Sequence, residues 1–485
     1  MSKNVDVMLV FLYPEDAVGI NEATVEPPLG LGYLAAVTEN KGLKCEIVDA
    51  YMLHLKMNEV LGLIKKSKPK IVGLSVNLFT YQTALRTTKA IKKRFPKITM
   101  VVGGPTPSSA PKRMLEVCPV DAVCIGEGEV TWAEVLDRYK NGQHLFKGVA
   151  GMMYRQGRRI FQNPPREYIK EIDNILFPAY HLYPNLNLYK SRAIKKPAAP
   201  LLTSRGCPFQ CVYCSQDVFR HICRMRSPEN VLAEIDMLVN KYGVKQVDIL
   251  DDNFTMNKAR VEKILDLLIE RDYDLHINLQ SGVRIDGLDQ NIFNKMRRAK
   301  VFKIPFGVES GDPEILQRIK KRLDLKRLLA CTKMAKKAGM KVYGFFMIGL
   351  PGDTPKSMQK TIDFAIRMEP NIATFAVTIP FQGTELYDQV KREGKFLVNL
   401  DEGINEGYYA NRAFYELEGM DRDEVVRYYK KAMRDFYLRP KKIWELISGM
   451  KSWTELQWLI HTVRSVLKCY KLSDLLSPGP VGASS

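Results

Sequence analysis

At 485 residues, with 46% hydrophobic and 26% charged side chains, the chain has the composition of soluble globular protein and is too long for one ordinary domain. No apolar stretch approaches the roughly 20 residues of a membrane span, and nine cysteines, an odd number in so long a chain, argue against a disulfide scaffold and for a reducing cytoplasm. The formal charge of +19 admits nucleic acid, acidic lipid or phosphorylated ligands without choosing among them, because Lys and Arg are spread along the chain.

The opening MSKNVDVMLVFLYPED runs from a lone lysine into a short apolar stretch and then acids, which predicts a first β-strand and not a signal peptide. Over residues 1–145, VDVMLVFLY, CEIVDAY, KIVGLSVNL, ITMVVGG and DAVCIGEGE read as buried parallel strands. Helical patterns in LGLGYLAAVTENKG, MNEVLGLIKKSK, TYQTALRTTKAIKKRF and TWAEVLDRYKNG separate them. Five βα units predict an α/β, Rossmann-like doubly wound sheet, which binds ligands beyond the carboxyl ends of its strands. Small or polar residues gather there: Ser75 and Asn77, Gly103 and Gly104 with Pro105, and Gly126 and Gly128 with Glu127 and Glu129.

Residues 146–198 read as a connector, a hairpin-like GVAGMMYRQGRRIFQNPP followed by a proline-bearing stretch without sustained periodicity. A second βα series occupies 199–400. Its strands are PLLTSRG, VKQVDILDDNF, HINLQSGVRID, FKIPFGVES, KVYGFFMIGLPG and IATFAVTIP, and its helices include PENVLAEIDMLVNKYG, RVEKILDLLIERD and LLACTKMAKKAG. Six parallel units predict a partial β/α (TIM-like) barrel with its chemistry at the C-terminal strand ends. Residues 401–476 turn helical, mixing Arg427, Lys430, Lys431, Arg434, Arg439, Lys441 and Lys442 with Tyr428, Tyr429, Phe436, Tyr437, Trp444, Trp453 and Trp458. They read as a helical cap on the barrel, with peripheral contact to an anionic membrane surface as the alternative. The tail 477–485, SPGPVGASS, is expected to be disordered.

The string SRGCPFQCVYCSQ sets Cys207, Cys211 and Cys214 at spacings of x3 and x2 directly after a predicted strand. Thiolates suit iron–sulfur clusters or zinc. Three ligands leave one iron of a 4Fe–4S cluster without a protein ligand, open to the amine and carboxylate of a substrate. Zinc needs a fourth ligand, for which His221 and Cys223 are the local candidates.

With this loop the chain resembles the radical S-adenosylmethionine (SAM) superfamily over roughly residues 200–390. The resemblance implies a 4Fe–4S cluster on Cys207, Cys211 and Cys214 whose free iron binds the methionyl end of SAM, and cleavage of SAM to a 5′-deoxyadenosyl radical. It puts Tyr213 near the adenine, Asp251 and Asp252 of LDDNF at the SAM amino group, and Arg284 of SGVRID with Glu309 and Ser310 of FGVES near the carboxylate and ribose. Gly349 and Gly352 of MIGLPGDT would let the backbone approach adenine. PFQGTELY, from Pro380, is similar to the turn after the family's sixth strand.

A Rossmann-like domain ahead of such a barrel resembles the cobalamin-binding branch, through EPPLGLGYLAA, GLSVNLFT, VVGGPTPS and CIGEGE. Ser75, Asn77, Gly103, Gly104, Gly126, Glu127 and Gly128 are the cobalamin-binding candidates this implies. The Asp-x-His-x-x-Gly of histidine-ligated domains is missing: residues 12–28 hold no histidine, and His54 reads as a surface residue at a helix start. Cobalamin without a histidine ligand is therefore expected, and a domain that binds no corrinoid is the alternative. The implied activity is methylation of an unactivated carbon, one SAM methylating cobalt and a second supplying the radical, on a small-molecule or lipid-like substrate. A reductant such as flavodoxin or ferredoxin would supply electrons, and nucleic acid is not an expected partner. Radical cyclisation or rearrangement, a methylthiotransferase with a second cluster on Cys45, Cys118 and Cys124, and a non-catalytic cobalamin sensor are the other readings.

Overall fold

The computed structural model describes residues 4–15, 25–189, 194–400 and 412–448. The apolar runs form strands where expected, and the first sheet begins with β1 (Val7–Phe11), β2 (Cys45–Asp49), β3 (Ile71–Ser75), β4 (Thr99–Gly103) and β5 (Ala122–Cys124). These five are parallel in the order β2-β1-β3-β4-β5. The order reverses between β1 and β3, the switch point where such sheets bind ligands. Alternation along β1 buries Val7 and Leu9 in one core and Met8 and Val10 in another, so both faces are covered.

Residues 146–198 are not a simple connector. Their first part, β6 (Met152–Gln156) and β7 (Arg159–Gln162), adds two antiparallel strands to the edge of the first sheet at β5. Their second part packs tyrosines between the two halves of the molecule. Tyr180 donates to Pro200 O (2.8 Å) and Glu234 (3.0 Å), Tyr183 to Pro28 O (2.8 Å) and Tyr189 to Asp49 (2.8 Å). All three rings are buried in a core that runs from β1 into the second sheet.

That sheet starts with β8 (Ala198–Leu201). After a short ribbon, β9 (Ser204–Arg205) with β10 (Arg224–Met225), come β11 (Gln246–Ile249), β12 (His276–Leu279), β13 (Val301–Glu309), β14 (Lys341–Ile348) and β15 (Ile372–Val377). The six strands β8, β11, β12, β13, β14 and β15 are parallel and pair in sequence order without closing, a partial barrel. Capped helices separate them: Pro228–Tyr242 has Ser227 accepting the Asn230 amide and Pro228 at its first position, and Gly243 ends it in a left-handed turn.

Beyond residue 400 the chain is not wholly helical, because Tyr415–Leu417 (β17) pairs with Gly394–Phe396 (β16). The helix Arg422–Tyr437 then packs on the last barrel strands, where Phe436 meets Phe375 edge-on (6.1 Å) and Phe375 stacks on Phe346 (5.2 Å). Tyr437 donates to Ala373 O (2.7 Å), and the ammonium of buried Lys442 donates to Pro370 O (2.8 Å). The cap therefore uses Tyr429, Phe436, Tyr437 and Lys442, while Trp444 is 72% exposed; Trp453, Trp458 and the tail lie outside the described residues. Among the described residues no helix is long and apolar enough to cross a membrane. Phe436→Ala should cost about 3–5 kcal/mol in denaturant unfolding, as a fully buried aromatic does, whereas Trp444→Ser should stay within about 0.5 kcal/mol.

Candidate active site

The ribbon of β9 and β10 pairs Arg205 with Arg224 and brackets the loop that carries the three cysteines. Gly206 opens this loop at φ +81°, where an added Cβ would overlap the Ile222 carbonyl, so no other residue fits. Its amide donates to Asp252 (3.0 Å). Val212 pins the middle of the loop, buried among Ile315, Leu316, Ile319 and Leu350, with its amide on Ile319 O (3.2 Å) and its carbonyl accepting from Leu386 (2.9 Å). Cys214 N donates to Cys211 O (3.0 Å), so the last two cysteines share a tight turn.

Cys207, Cys211 and Cys214 are all half-buried. Burial first, then the neighbouring thiols and Asp252, pushes the Cys214 thiol up to about 11, and burial raises Cys207 as well. Among the described residues no three His, Cys, Asp or Glu side chains gather for a single metal ion. His221 turns its ring to Phe209 O (2.9 Å).

The strand-end residues divide. Asp251 is buried and saturated by Thr203 N (2.6 Å), Thr203 Oγ1 (2.5 Å) and Ser204 Oγ (2.6 Å), so it anchors the chain entering the loop. Asp252 is exposed beside Gly206. Glu309, at φ +65° after a bulge in β13, takes the Lys321 ammonium (2.8 Å) and the Tyr213 hydroxyl, joining three buried or half-buried groups next to Cys211. Arg284 lays its guanidinium on the Phe209 ring (3.8 Å to the centroid) and donates to Lys321 O (3.0 Å), Arg322 O (2.9 Å) and Asp286 (2.7 Å). Ser310 is not brought to the site: it is fully buried, between Thr361 Oγ1 (3.1 Å) and the Asp312 amide (3.1 Å). Gly349 and Gly352 have positive φ and face protein, a Cβ on Gly349 reaching Val425 (2.8 Å) and one on Gly352 overlapping the Arg318 guanidinium.

At the first sheet's carboxyl edge, Ser75, Gly103 and Gly126 lie on neighbouring strand ends β3, β4 and β5. A Cβ on Gly103 would make ordinary contact with Cys124 (3.6 Å), and one on Gly126, at φ +76°, with the Val218 carbonyl of the cysteine loop (3.6 Å). A Cβ on Gly104, at φ +104°, would come within 2.9 Å of the Val76 carbonyl, and Asn77 orders the turn ahead of the helix Tyr81–Arg94 by accepting from Phe79 N (3.1 Å) and Thr80 N (3.0 Å). A Cβ on Gly128 would press on Leu34 (3.1 Å). Glu127 does not face this edge. Its buried carboxylate takes Arg205 (2.9 Å) and Arg224 (2.5 Å), and Glu129 takes the other arm of Arg205 (2.7 Å). His54 lies in the turn after β2 at φ +52°, its ring 5.5 Å from that of Tyr13.

Residues 201–365 match the model of the radical SAM superfamily and residues 16–136 that of the B12 binding domain. An uncharacterized methyltransferase of Pyrococcus horikoshii is 32% identical over 443 residues, covering 90% of this chain and 94% of the relative. The chain belongs to the radical SAM superfamily, with a B12-binding domain ahead of its radical SAM core. Among solved structures, the cobalamin-dependent S-adenosylmethionine radical enzyme OxsB, with aqua-cobalamin and S-adenosylmethionine bound, shares the fold at TM-score 0.74 and 18% identity, over 96% of this chain and 71% of that one. The radical S-adenosylmethionine methyltransferase TsrM of Kitasatospora setae, with cobalamin and a 4Fe–4S cluster bound, does so at TM-score 0.68 and 15% identity, over 90% of each chain. The chain thus carries a domain of the radical SAM type, whose family uses a 4Fe–4S cluster and SAM, and a domain of the B12-binding type.

A second cluster on Cys45, Cys118 and Cys124 is ruled out by topology. Cys45 on β2 and Cys124 on β5 are separated by three strands, roughly 19 Å at the usual strand spacing. Burial pushes all three thiols up, to about 12, about 11 and about 12.

The radical SAM core also carries a polar layer that its strand pattern alone did not announce. Asp248, Asn278 and Lys303 are buried on β11, β12 and β13 in direct cross-strand register, where barrels of this kind are usually filled by branched apolar residues. Asn278 donates to Asp248 (2.5 Å), and its own carbonyl oxygen is buried without a partner. Glu26, from the EPPLG run of the B12-binding domain, accepts from Gln280 (2.8 Å) beside this layer. Burial and the charge of Asp248 push its carboxyl from 4.5 up to about 8, against the opposing pull of Lys303 and Gln280. Reading EPPLG for its glycines alone passed over this acid. Because the folded protein holds the Glu26 proton to higher pH than the unfolded chain, stability falls as pH rises from about 4.5 to about 8. Glu26→Gln should remove that slope, so denaturant midpoints of the two proteins should diverge in favour of the variant as pH climbs through this window.

Proposed function

We propose that this enzyme is a cobalamin-dependent radical SAM methyltransferase that methylates an unactivated carbon of a polar small molecule. The observation that carries the reading is the direct seating of the cysteine loop against the B12-binding domain, where Arg205 holds Glu127 and Glu129 at the junction of β5 and the helix Glu129–Lys140. Asp217 of the same loop adds a second contact, accepting from Ser109 (2.5 Å) of the B12-binding domain. When bound, the cluster supplies the electron that splits SAM and the cobalamin supplies a methyl carrier.

Cys207, Cys211 and Cys214 would hold three irons. Asp252, exposed next to the loop, suits the SAM ammonium, where Asp251 is already saturated. Tyr213, Glu309 and Lys321 form the wall beside Cys211, and Arg284 stiffens that wall by bonding the carbonyls of Lys321 and Arg322. Ser75, Gly103, Gly104 and Gly126 form the bed for the corrinoid. With His54 turned to Tyr13, the reading supplies no histidine to cobalt.

The polar layer of Asp248, Asn278 and Lys303, with Glu26 and Gln280 above it, supports a substrate rich in hydrogen-bonding groups over a lipid. Glu26 would stay protonated near neutral pH and donate to such a group. The use of the C-terminal aromatics as a cap likewise supports a protein without membrane docking. Electrons would come from a separate reductant such as a flavodoxin or ferredoxin, in a reducing cytoplasm.

Anaerobic turnover with candidate substrates tests the assignment. Appearance of both 5′-deoxyadenosine and S-adenosylhomocysteine indicates methylation, while deoxyadenosine alone would replace it with another radical outcome. Replacing Cys207, Cys211 and Cys214 together by Ala should remove the cluster iron and SAM cleavage, and retained cleavage would overturn the cluster assignment.

A further inference from the structure

The Arg205 guanidinium lies where the two domains meet: its backbone leads into the cysteine loop and its side chain grips the segment that follows β5 and Gly126. On one side it immediately precedes Gly206 and Cys207, so at most about 7 Å of backbone separates it from the first cluster ligand. Gly206 is itself fixed by Asp252 and by the absence of room for a Cβ, so a displacement of Arg205 moves the start of the loop. On the other side its two arms hold Glu127 and Glu129, which flank Gly128 at the junction between β5 and the helix Glu129–Lys140.

The set is closed in charge and in solvent. Arg205, Arg224, Glu127 and Glu129 sum to zero, and their side chains are 4%, 7%, 6% and 11% exposed. The rings of Tyr33 (4.8 Å) and Phe219 (5.4 Å) lie against Arg205, and that of Tyr168 (5.2 Å) against Arg224. An apolar contact of the same size would hold the domains equally well. What a guanidinium engaging two carboxylates adds is a fixed direction and separation.

We propose that Arg205 is a positioning residue: its grip on Glu127 and Glu129 sets the distance between the cluster and the cobalamin. This rests on the cobalamin-dependent reading above. A misplacement of about 1 Å between reacting groups is enough to cost about a hundredfold in rate, so the tie governs how efficiently radical formation leads to methyl transfer.

The test needs no substrate. Full-length protein is loaded with cluster and cobalamin, reduced so that both cluster and cob(II)alamin are paramagnetic, and their dipolar coupling is measured by pulsed electron paramagnetic resonance. Wild type should give one narrow distance. Glu129→Gln, which keeps size and removes charge, should bind iron and cobalamin as wild type does and still cleave SAM. Its distance distribution should shift or broaden by about 1 Å or more. Glu129→Asp should move it in the same sense by less. An unchanged distribution in Glu129→Gln overturns the proposal. So does loss of both cofactors in both variants, which would make the pair a folding element. Wild-type protein that retains no cobalamin would instead sink the functional reading on which the proposal stands.

Discussion

Gly206 stands where three constraints meet: a left-handed backbone, a neighbouring carbonyl that leaves no space for a side chain, and a carboxylate at the end of β11 that takes its amide. The cysteine loop can leave β9 in only one direction because of them. Its spacing then does the rest, since the first cysteine follows directly and the last two fall in a turn held by Val212. The neighbouring loops are built to the same end. Lys320 and Arg322 both adopt left-handed backbone near Cys211 and Arg284, and the carbonyls of Lys321 and Arg322 accept from the Arg284 guanidinium. Strain concentrated at one side of a site, and over-determined by the packing around it, is how a fold keeps reactive ligands in place.

The strands were legible because buried parallel sheets require uninterrupted apolar runs, and the cysteine loop because three thiols in eight residues have few other uses. The partners of the polar residues were not legible. Glu127 read as a ligand contact because it lies in a glycine-rich strand end, yet its partners are 78 and 97 residues away. Asp251 and Ser310 sit at strand ends where cofactor contacts are expected, and loops need anchors at those same places. Arg205 stood in full view beside Cys207, but local sequence carries no sign of which distant acid a buried arginine will meet. The connector was misread for a related reason: its tyrosines serve surfaces of two different domains, so no single period describes them.

A continuous apolar core through both domains and the tyrosine-filled connector make this one mechanical body, not two beads on a string. The buried carboxylates and ammonium of Glu26, Asp248 and Lys303 are costly in such a body. Their place inside the barrel, next to a segment contributed by the other domain, ties their burial to correct docking of the domains.

The radical SAM sheet never closes, because β8 and β15 are its two ends and do not pair. A closed barrel has a circumference fixed by its strand count and stagger. An open one has a seam, and a seam can widen or narrow by small changes in twist without breaking a single ladder of hydrogen bonds. Descendants of this architecture can therefore alter the girth of the barrel by trading side chains along two edges, leaving the cysteine loop untouched.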